Sequence, residues 1–193
     1  GSMPKRTLRQ QLLARRKELG LAERKAAAHV IQQTFVGSRE FAAARIIALY
    51  AAIHNEVETG EVFEAALAQG KTVLFPLVCG DNLDFRRVSA HEELRRGAYG
   101  IPEPEEGTLS CRPEEADLLV VPAVAFSVHG QRIGYGKGYY DRALHALEGS
   151  GKLVGFCYDF QLVDEIVGEP HDVRMDMIIT EQRVVCPGTE PTT

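Results

Sequence analysis

The sequence predicts an α/β protein, a Rossmann-like three-layer sandwich with a mostly parallel central sheet. Three observations lead there. Short apolar runs of strand length alternate along the chain with segments of helical period. The first clear trio is strand, helix, strand, and a helical crossover of that kind lays its two strands parallel. The most apolar run, Asp117 to Val121, leads directly into a glycine-rich segment, and ligands bind at such carboxyl-terminal loops of open α/β sheets. The 193 residues, 45% hydrophobic and 25% charged, suit one continuous core and a single domain over 1–193. Residues 1–3 read as the remnant of a cleaved tag, and 187–193 as a tail.

Residues 4–36 read as two helices. Leu8, Leu12, Leu13, Arg16 and Leu19 form a stripe along the first, which Gly20 stops. The second carries Ala26, Ala27, Val30, Ile31 and Phe35 and stops near Gly37. Ile46 to Ala52 reads as a buried strand, followed by His54-Asn55-Glu56-Val57. Thr59 can cap a helix that runs through Leu67 and ends at Gly70. Val73 to Val78 is a second buried strand, and Leu83 to Val88 an edge strand. The turn-rich stretch Gly100 to Gly107 precedes the strand at Asp117 to Val121. A helix is expected from about Tyr139 to Leu147, then strands at Leu153 to Cys157 and Met175 to Ile179.

Charge and cysteine usage exclude several classes. With 27 acidic against 22 basic side chains the net charge is −5, without the basic excess of nucleic-acid binders. No apolar run approaches the roughly 20 residues needed to span a bilayer. No signal peptide is visible, so a cytoplasmic location is expected. Cys79, Cys111, Cys157 and Cys186 form no CxxC pair and read as reduced thiols. Neither a GxSxG nucleophile elbow nor an HExxH pair is present, and the His171-Asp172 doublet runs into a strand without further metal-binding motifs.

One segment carries the chemistry: Ala125 to Leu144, AFSVHGQRIGYGKGYYDRAL. Gly130, Gly134, Gly136 and Gly138 let a backbone approach an anion closely, and Arg132 and Lys137 add charge. A helix starting near Gly138 would aim its free N–H groups at the same place. The pattern is neither GxxxxGK[ST] nor GxGxxG, because Gly138 follows Lys137 and Tyr139 holds the third glycine position. Asp141 either complements the helix dipole or ligates Mg²⁺, with Asp172 and Asp176 as candidate partners.

The stretch FxxxGxRxGxGKGYYDRxL strongly resembles the signature of the 5-formyltetrahydrofolate cyclo-ligase family. KRTLRQQLLARRKEL, HNEVET, FPLV, GIPEP, DLLVVPAVAF and the late HD segment resemble further family pieces in the same order. The resemblance implies a cytoplasmic, monomeric α/β ligase that binds ATP, Mg²⁺ and 5-formyltetrahydrofolate, with no nucleic-acid or membrane partner. Lys5 and Arg9, with Arg132, Ile133, Gly134, Tyr135, Gly136, Lys137, Gly138, Tyr139 and Tyr140, match the family's ATP site. Glu56, Tyr135, Gly136, Lys137, Gly138 and Tyr139 match its folate contacts, and Asp141 and Asp172 its magnesium ligands, with Asp176 a weaker neighbour. Lys137 and Arg132 are the expected catalytic residues.

The implied reaction has the formyl oxygen attack the γ-phosphate, after which N10 closes the ring and phosphate departs. Phosphoryl transfer of this kind asks for positioning and charge neutralisation and no protein nucleophile. Phe75, Pro76, Tyr139 and Tyr140 are candidates to wall the folate. Ser127 stands where family members often carry Asp, which puts the rigidity of the loop in question. Two rivals follow: a binding module that has lost turnover, and an enzyme of the same fold acting on a different formyl or pterin-like substrate.

Overall fold

The computed structural model describes residues 3–96, 102–104, 108–136, 138–168 and 172–189. Three helices come first: α1 (Lys5–Lys17), α2 (Leu21–Val36) and the short α3 (Arg39–Ala43). Then follow β1 (Ile46–Ala48), α4 (Gly60–Ala68), β2 (Thr72–Cys79) and β3 (Asn82–Arg87). β4 (Leu94–Arg96) and β5 (Pro102–Pro104) form a small antiparallel pair, and β6 (Ser110–Cys111) leads to β7 (Leu118–Val121). β8 (Ala125–Ser127), β9 (Arg132–Ile133), α5 (Asp141–Leu147) and β10 (Lys152–Phe156) come next. β11 (Leu162–Val163), β12 (Met177–Ile179) and β13 (Val184–Val185) complete the order.

Among the described residues the main sheet runs β13-β12-β10-β7-β1-β2-β3-β6. Its centre, β12 to β2, is parallel throughout, and β13, β3 and β6 join antiparallel at the flanks. This is the predicted class. β7 explains the unbroken apolar run: Leu118 and Val120 pack into one core cluster, Leu119 and Val121 into the other. A strand covered on both faces has no reason to alternate. On one face α2, α3 and α4 supply Ile31, Phe35, Phe41, Val62 and Phe63, with Phe35 edge-on to Phe41 and Phe156. On the other, α5 contributes Ala143, Leu144 and Leu147.

Several expectations are corrected here. β1 stops at Ala48, where the apolar reading ran on to Ala52, because after Leu49, still bonded to Leu74, the chain turns toward the cleft described below. Thr59 precedes α4 without capping it, since its hydroxyl donates instead to the Tyr50 carbonyl at 2.6 Å. β3 is flanked by β6 and is therefore not the edge. The glycine segment is partly a hairpin: β8 pairs with β9 and β11 in a second, three-stranded sheet. Pro187–Thr189, read as the start of a tail, form a 3₁₀ turn. The expected turn at Gly100 to Gly107 lies mostly outside the described residues. No helix among the described residues is long and apolar enough to cross a membrane.

α1 packs on the small sheet, where Leu12 meets Val124, Ala125, Ile133 and Ile166. That contact brings the basic face of α1 beside the glycine segment. The two sheets press together at Gly155 on β10, where a Cβ would lie 2.5 Å from the ring of the fully buried Phe126. Gly155→Ala is therefore expected to cost about 1–3 kcal/mol through overpacking. Equilibrium denaturant unfolding reads this out, and an unchanged midpoint would contradict the packing.

Candidate active site

The loops after β1 and β7, with the last part of β2 and the start of β3, gather at the carboxyl ends of the parallel strands and enclose a cleft of about 480 Å³. That volume lies in the range of small-molecule sites. Tyr50, Ile53, His54 and Glu56 form one wall; Pro76, Val78 and Leu83 another. The glycine segment closes the third side and Lys5 and Arg9 of α1 the fourth.

Glu56 is 5% exposed and lines this cleft. Its Oε1 accepts the Ile53 N–H at 2.9 Å and its Oε2 the Tyr135 hydroxyl at 2.8 Å. Burial pushes its carboxyl above the ordinary range, while these two donors and the charges of Arg16 and Arg132 hold it down. The turn that delivers it is strained: His54 and Asn55 take φ of 48° and 65°, unusual for residues with a Cβ. The turn is fastened to α1, since Arg16 Nε donates to the His54 carbonyl at 3.0 Å and Asn55 Nδ2 to the Arg16 carbonyl at 3.1 Å.

Opposite Glu56 the segment after β9 needs its glycines. Gly136 and Gly138 have φ of 94° and 71°, a region side-chain-bearing residues avoid. Gly134 leaves room for Arg132, since a Cβ there would stand 3.0 Å from a guanidinium nitrogen and press that side chain aside. Arg132 Nε donates to the Pro122 carbonyl at 2.9 Å, and its guanidinium lies 5.1 Å from the Tyr140 ring centre. Burial lowers the pKa of Arg132, and the nearby Tyr140, Asp141 and Glu56 oppose that drop. Arg9 Nε donates to the Gly134 carbonyl at 2.9 Å and so ties α1 to the loop. Ile133 lies behind, in the core shared with Leu12. Burial, with Glu56 next, raises the Tyr135 and Tyr140 phenols, which therefore stay protonated at neutral pH.

The structure thus gathers Lys5, Arg9, Glu56, Arg132, Ile133, Gly134, Tyr135, Gly136, Gly138, Tyr139, Tyr140 and Asp141 at one cleft. Lys137 lies outside the described residues, as does His171. Asp172 is not brought to the cleft lining; its carboxylate lies beside Gly168. Asp176 is at the opposite, amino-terminal end of the sheet, where its Oδ2 accepts the Leu153 N–H at 2.8 Å. Among the described residues no cluster of three or more His, Cys, Asp or Glu side chains could hold a metal alone. Of the proposed aromatic walls, Phe75 is core, 3% exposed and edge-on to Phe63, while Pro76, Tyr139 and Tyr140 do line the cleft. Ser127 is fully buried, and its Oγ accepts the N–H groups of His129 and Gln131, each at 3.2 Å. The hydroxyl braces the β8–β9 turn without a carboxylate.

Two further participants line or brace the site. The sequence places Arg16 only in the stripe of α1, where a charged residue among apolar ones is itself a signal. Tyr50 carried no signal beyond a place at the end of an apolar run.

Comparison with known proteins places this geometry. Residues 2–181 match the model of the 5-formyltetrahydrofolate cyclo-ligase family. A 5-formyltetrahydrofolate cyclo-ligase from Mycolicibacterium smegmatis is 30% identical over 185 residues, 93% of this chain and 94% of the relative. The fold is similar to the solution structure of 5,10-methenyltetrahydrofolate synthetase from Aquifex aeolicus, with a TM-score of 0.86 and 33% identity, covering 99% of this chain and 96% of that one. A 5,10-methenyltetrahydrofolate synthetase from Mycoplasma pneumoniae is similar at a TM-score of 0.76 and 29% identity, covering 93% of this chain and 99% of that one.

Proposed function

This chain belongs to the 5-formyltetrahydrofolate cyclo-ligase family and is a ligase, and from that premise we propose the reaction its cleft performs. The reaction is the Mg-ATP-dependent conversion of 5-formyltetrahydrofolate into 5,10-methenyltetrahydrofolate, with release of ADP and phosphate. One observation carries the reading: a single cleft combines a buried acceptor, Glu56, with three cations, Lys5, Arg9 and Arg132, and a loop of left-handed glycines. Acceptor and cations suit the two ends of the task, a pterin rich in N–H groups and a polyphosphate.

The formyl oxygen attacks the γ-phosphorus of ATP, the bond to the β-bridging oxygen breaks, and ADP leaves. N10 then attacks the activated carbon, and phosphate departs with the former formyl oxygen and the N10 proton. An amide oxygen is a poor leaving group until it is phosphorylated, which is why ATP is needed. Arg132 and the loop amides neutralise charge on the transferring phosphoryl group, and Lys5 and Arg9 hold the polyphosphate from α1. Lys137 of the same loop is proposed to act with Arg132. Glu56 holds the pterin through its free lone pairs, and Pro76, Tyr139 and Tyr140 keep water from the activated carbon.

Magnesium fits the donor set on one count. Asp141 offers a hard carboxylate at the mouth of a cationic cleft, and Mg²⁺ on nucleotides takes one or two such ligands beside phosphate oxygens. When bound, the ion would spread the negative charge of the phosphates. Asp172, which does not line the cleft, is proposed as the second ligand. We further propose a cytoplasmic monomer with no nucleic-acid or membrane partner, in keeping with the net charge of −5.

Mixing the protein with 5-formyltetrahydrofolate, ATP and Mg²⁺ tests this reading by the absorbance of the methenyl product. Product should form only when all three are present, with an equal amount of ADP. Folate binding without product would leave the binding-module rival. Ser127, the one sequence hint toward that rival, braces the β8–β9 turn through its hydroxyl, which supports the enzyme reading.

A further inference from the structure

Among the described residues Arg16 is the largest polar side chain that is buried, 1% exposed, and it does not line the cleft. Its three nitrogens are all directed. Nε donates to the His54 carbonyl at 3.0 Å, Nη1 to the Ala123 carbonyl at 3.3 Å, and Nη2 to the Tyr135 hydroxyl. One guanidinium thus joins the loop after β1, the loop after β7 and the glycine segment, which together make the cleft. Its planar fork spreads donors to three separate acceptors, where a lysine offers only a compact point charge.

The hydroxyl of Tyr135 has one proton. Because it accepts from Arg16, that proton goes to Glu56, at 2.8 Å. Arg16, Tyr135 and Glu56 therefore form a relayed ion pair in which the charges are separated by a phenol. A buried cation without a counter-charge is strongly unfavourable, and a carboxylate at Glu56 supplies one at this remove.

We propose that Arg16 is a positioning residue for recognition of the formylated pterin, acting through Tyr135 to keep the Glu56 carboxylate ionised and aimed into the cleft. The inference rests on the reading of Glu56 as the pterin acceptor. Arg16 also clamps the strained His54–Asn55 turn from both its side chain and its carbonyl, so the direction of Glu56 depends on it twice. Asn55 in turn receives the Tyr158 hydroxyl on its carbonyl at 2.9 Å, which braces the turn from the sheet side.

The test compares Arg16→Met, Tyr135→Phe and the double variant in steady-state kinetics with the full-length enzyme, alongside thermal unfolding. Each single change should raise KM for 5-formyltetrahydrofolate at least about 10-fold, the scale of a lost charged hydrogen bond, and leave KM for ATP within about 2-fold. The double variant should be little worse than the worse single one, since both break the same relay. Equal loss toward both substrates, or effects that simply add, would overturn the relay and leave a structural arginine. If Arg16→Met does not fold, Tyr135→Phe alone decides, because an unchanged folate KM there removes the middle of the relay. A wild-type protein that makes no methenyl product defeats the functional reading instead, so the two failures are distinguishable.

Discussion

Arg132→Ala is expected to lower kcat for methenyl formation by about 100-fold or more, the loss typical when a preorganised charge is taken from a transition state. The reasoning starts from geometry. Arg132 is held at its Nε by the Pro122 carbonyl and lies against Tyr140, so its outer nitrogens are fixed before substrate arrives. Nothing has to reorganise as charge develops on the phosphoryl group. Arg132→Lys should recover little, because a lysine cannot keep both the Pro122 bond and the planar contact with the ring. KM for 5-formyltetrahydrofolate should move far less than kcat. Turnover within about 3-fold of wild type in a folded Arg132→Ala protein would remove Arg132 from the chemistry.

The second large effect concerns Glu56. Glu56→Gln should raise KM for 5-formyltetrahydrofolate by about 10-fold to 100-fold, because a charged acceptor for N–H groups becomes a neutral one. The pH dependence has a definite sign. Burial raises the carboxyl of Glu56, so its protonated form persists to higher pH than for an ordinary glutamate. As pH falls through that raised value the acceptor is lost, and kcat/KM for the folate should fall with it. Burial raises the phenols of Tyr50, Tyr135 and Tyr140 beside Glu56, so these stay protonated near neutral pH. An acid limb that survives in Glu56→Gln would belong to another group.

Much of this architecture is legible in the chain because it is governed by local pattern. Leu118 to Val121 is apolar without alternation, and only a strand covered on both faces asks for that. The stripe of α1 and the glycines at 136 and 138 likewise declare a packed helix and a left-handed backbone. What is not legible depends on partners far along the chain. Phe75 and Pro76 are neighbours of similar hydrophobicity, and only the pleat of β2 sends one to Phe63 and the other to the cleft. Thr59 has the residue type of a cap, but its hydroxyl has a nearer acceptor in Tyr50. Asp172 and Asp176 resemble one another in sequence, while the fold sends them to the Gly168 loop and to the start of β10. Arg16 is the sharpest case. Its stripe position predicts burial, but its role depends on Ala123 and Tyr135, 107 and 119 residues farther along the chain.

The claim that the cleft activates the formyl oxygen by phosphorylation can be tested by following that oxygen. The enzyme is given 5-formyltetrahydrofolate labelled with ¹⁸O in the formyl group, together with ATP and Mg²⁺, and the released phosphate is analysed by mass spectrometry. The label should be found in inorganic phosphate, in proportion to the methenyl product. Methenyl product accompanied by unlabelled phosphate, with the ¹⁸O in water, would contradict the account.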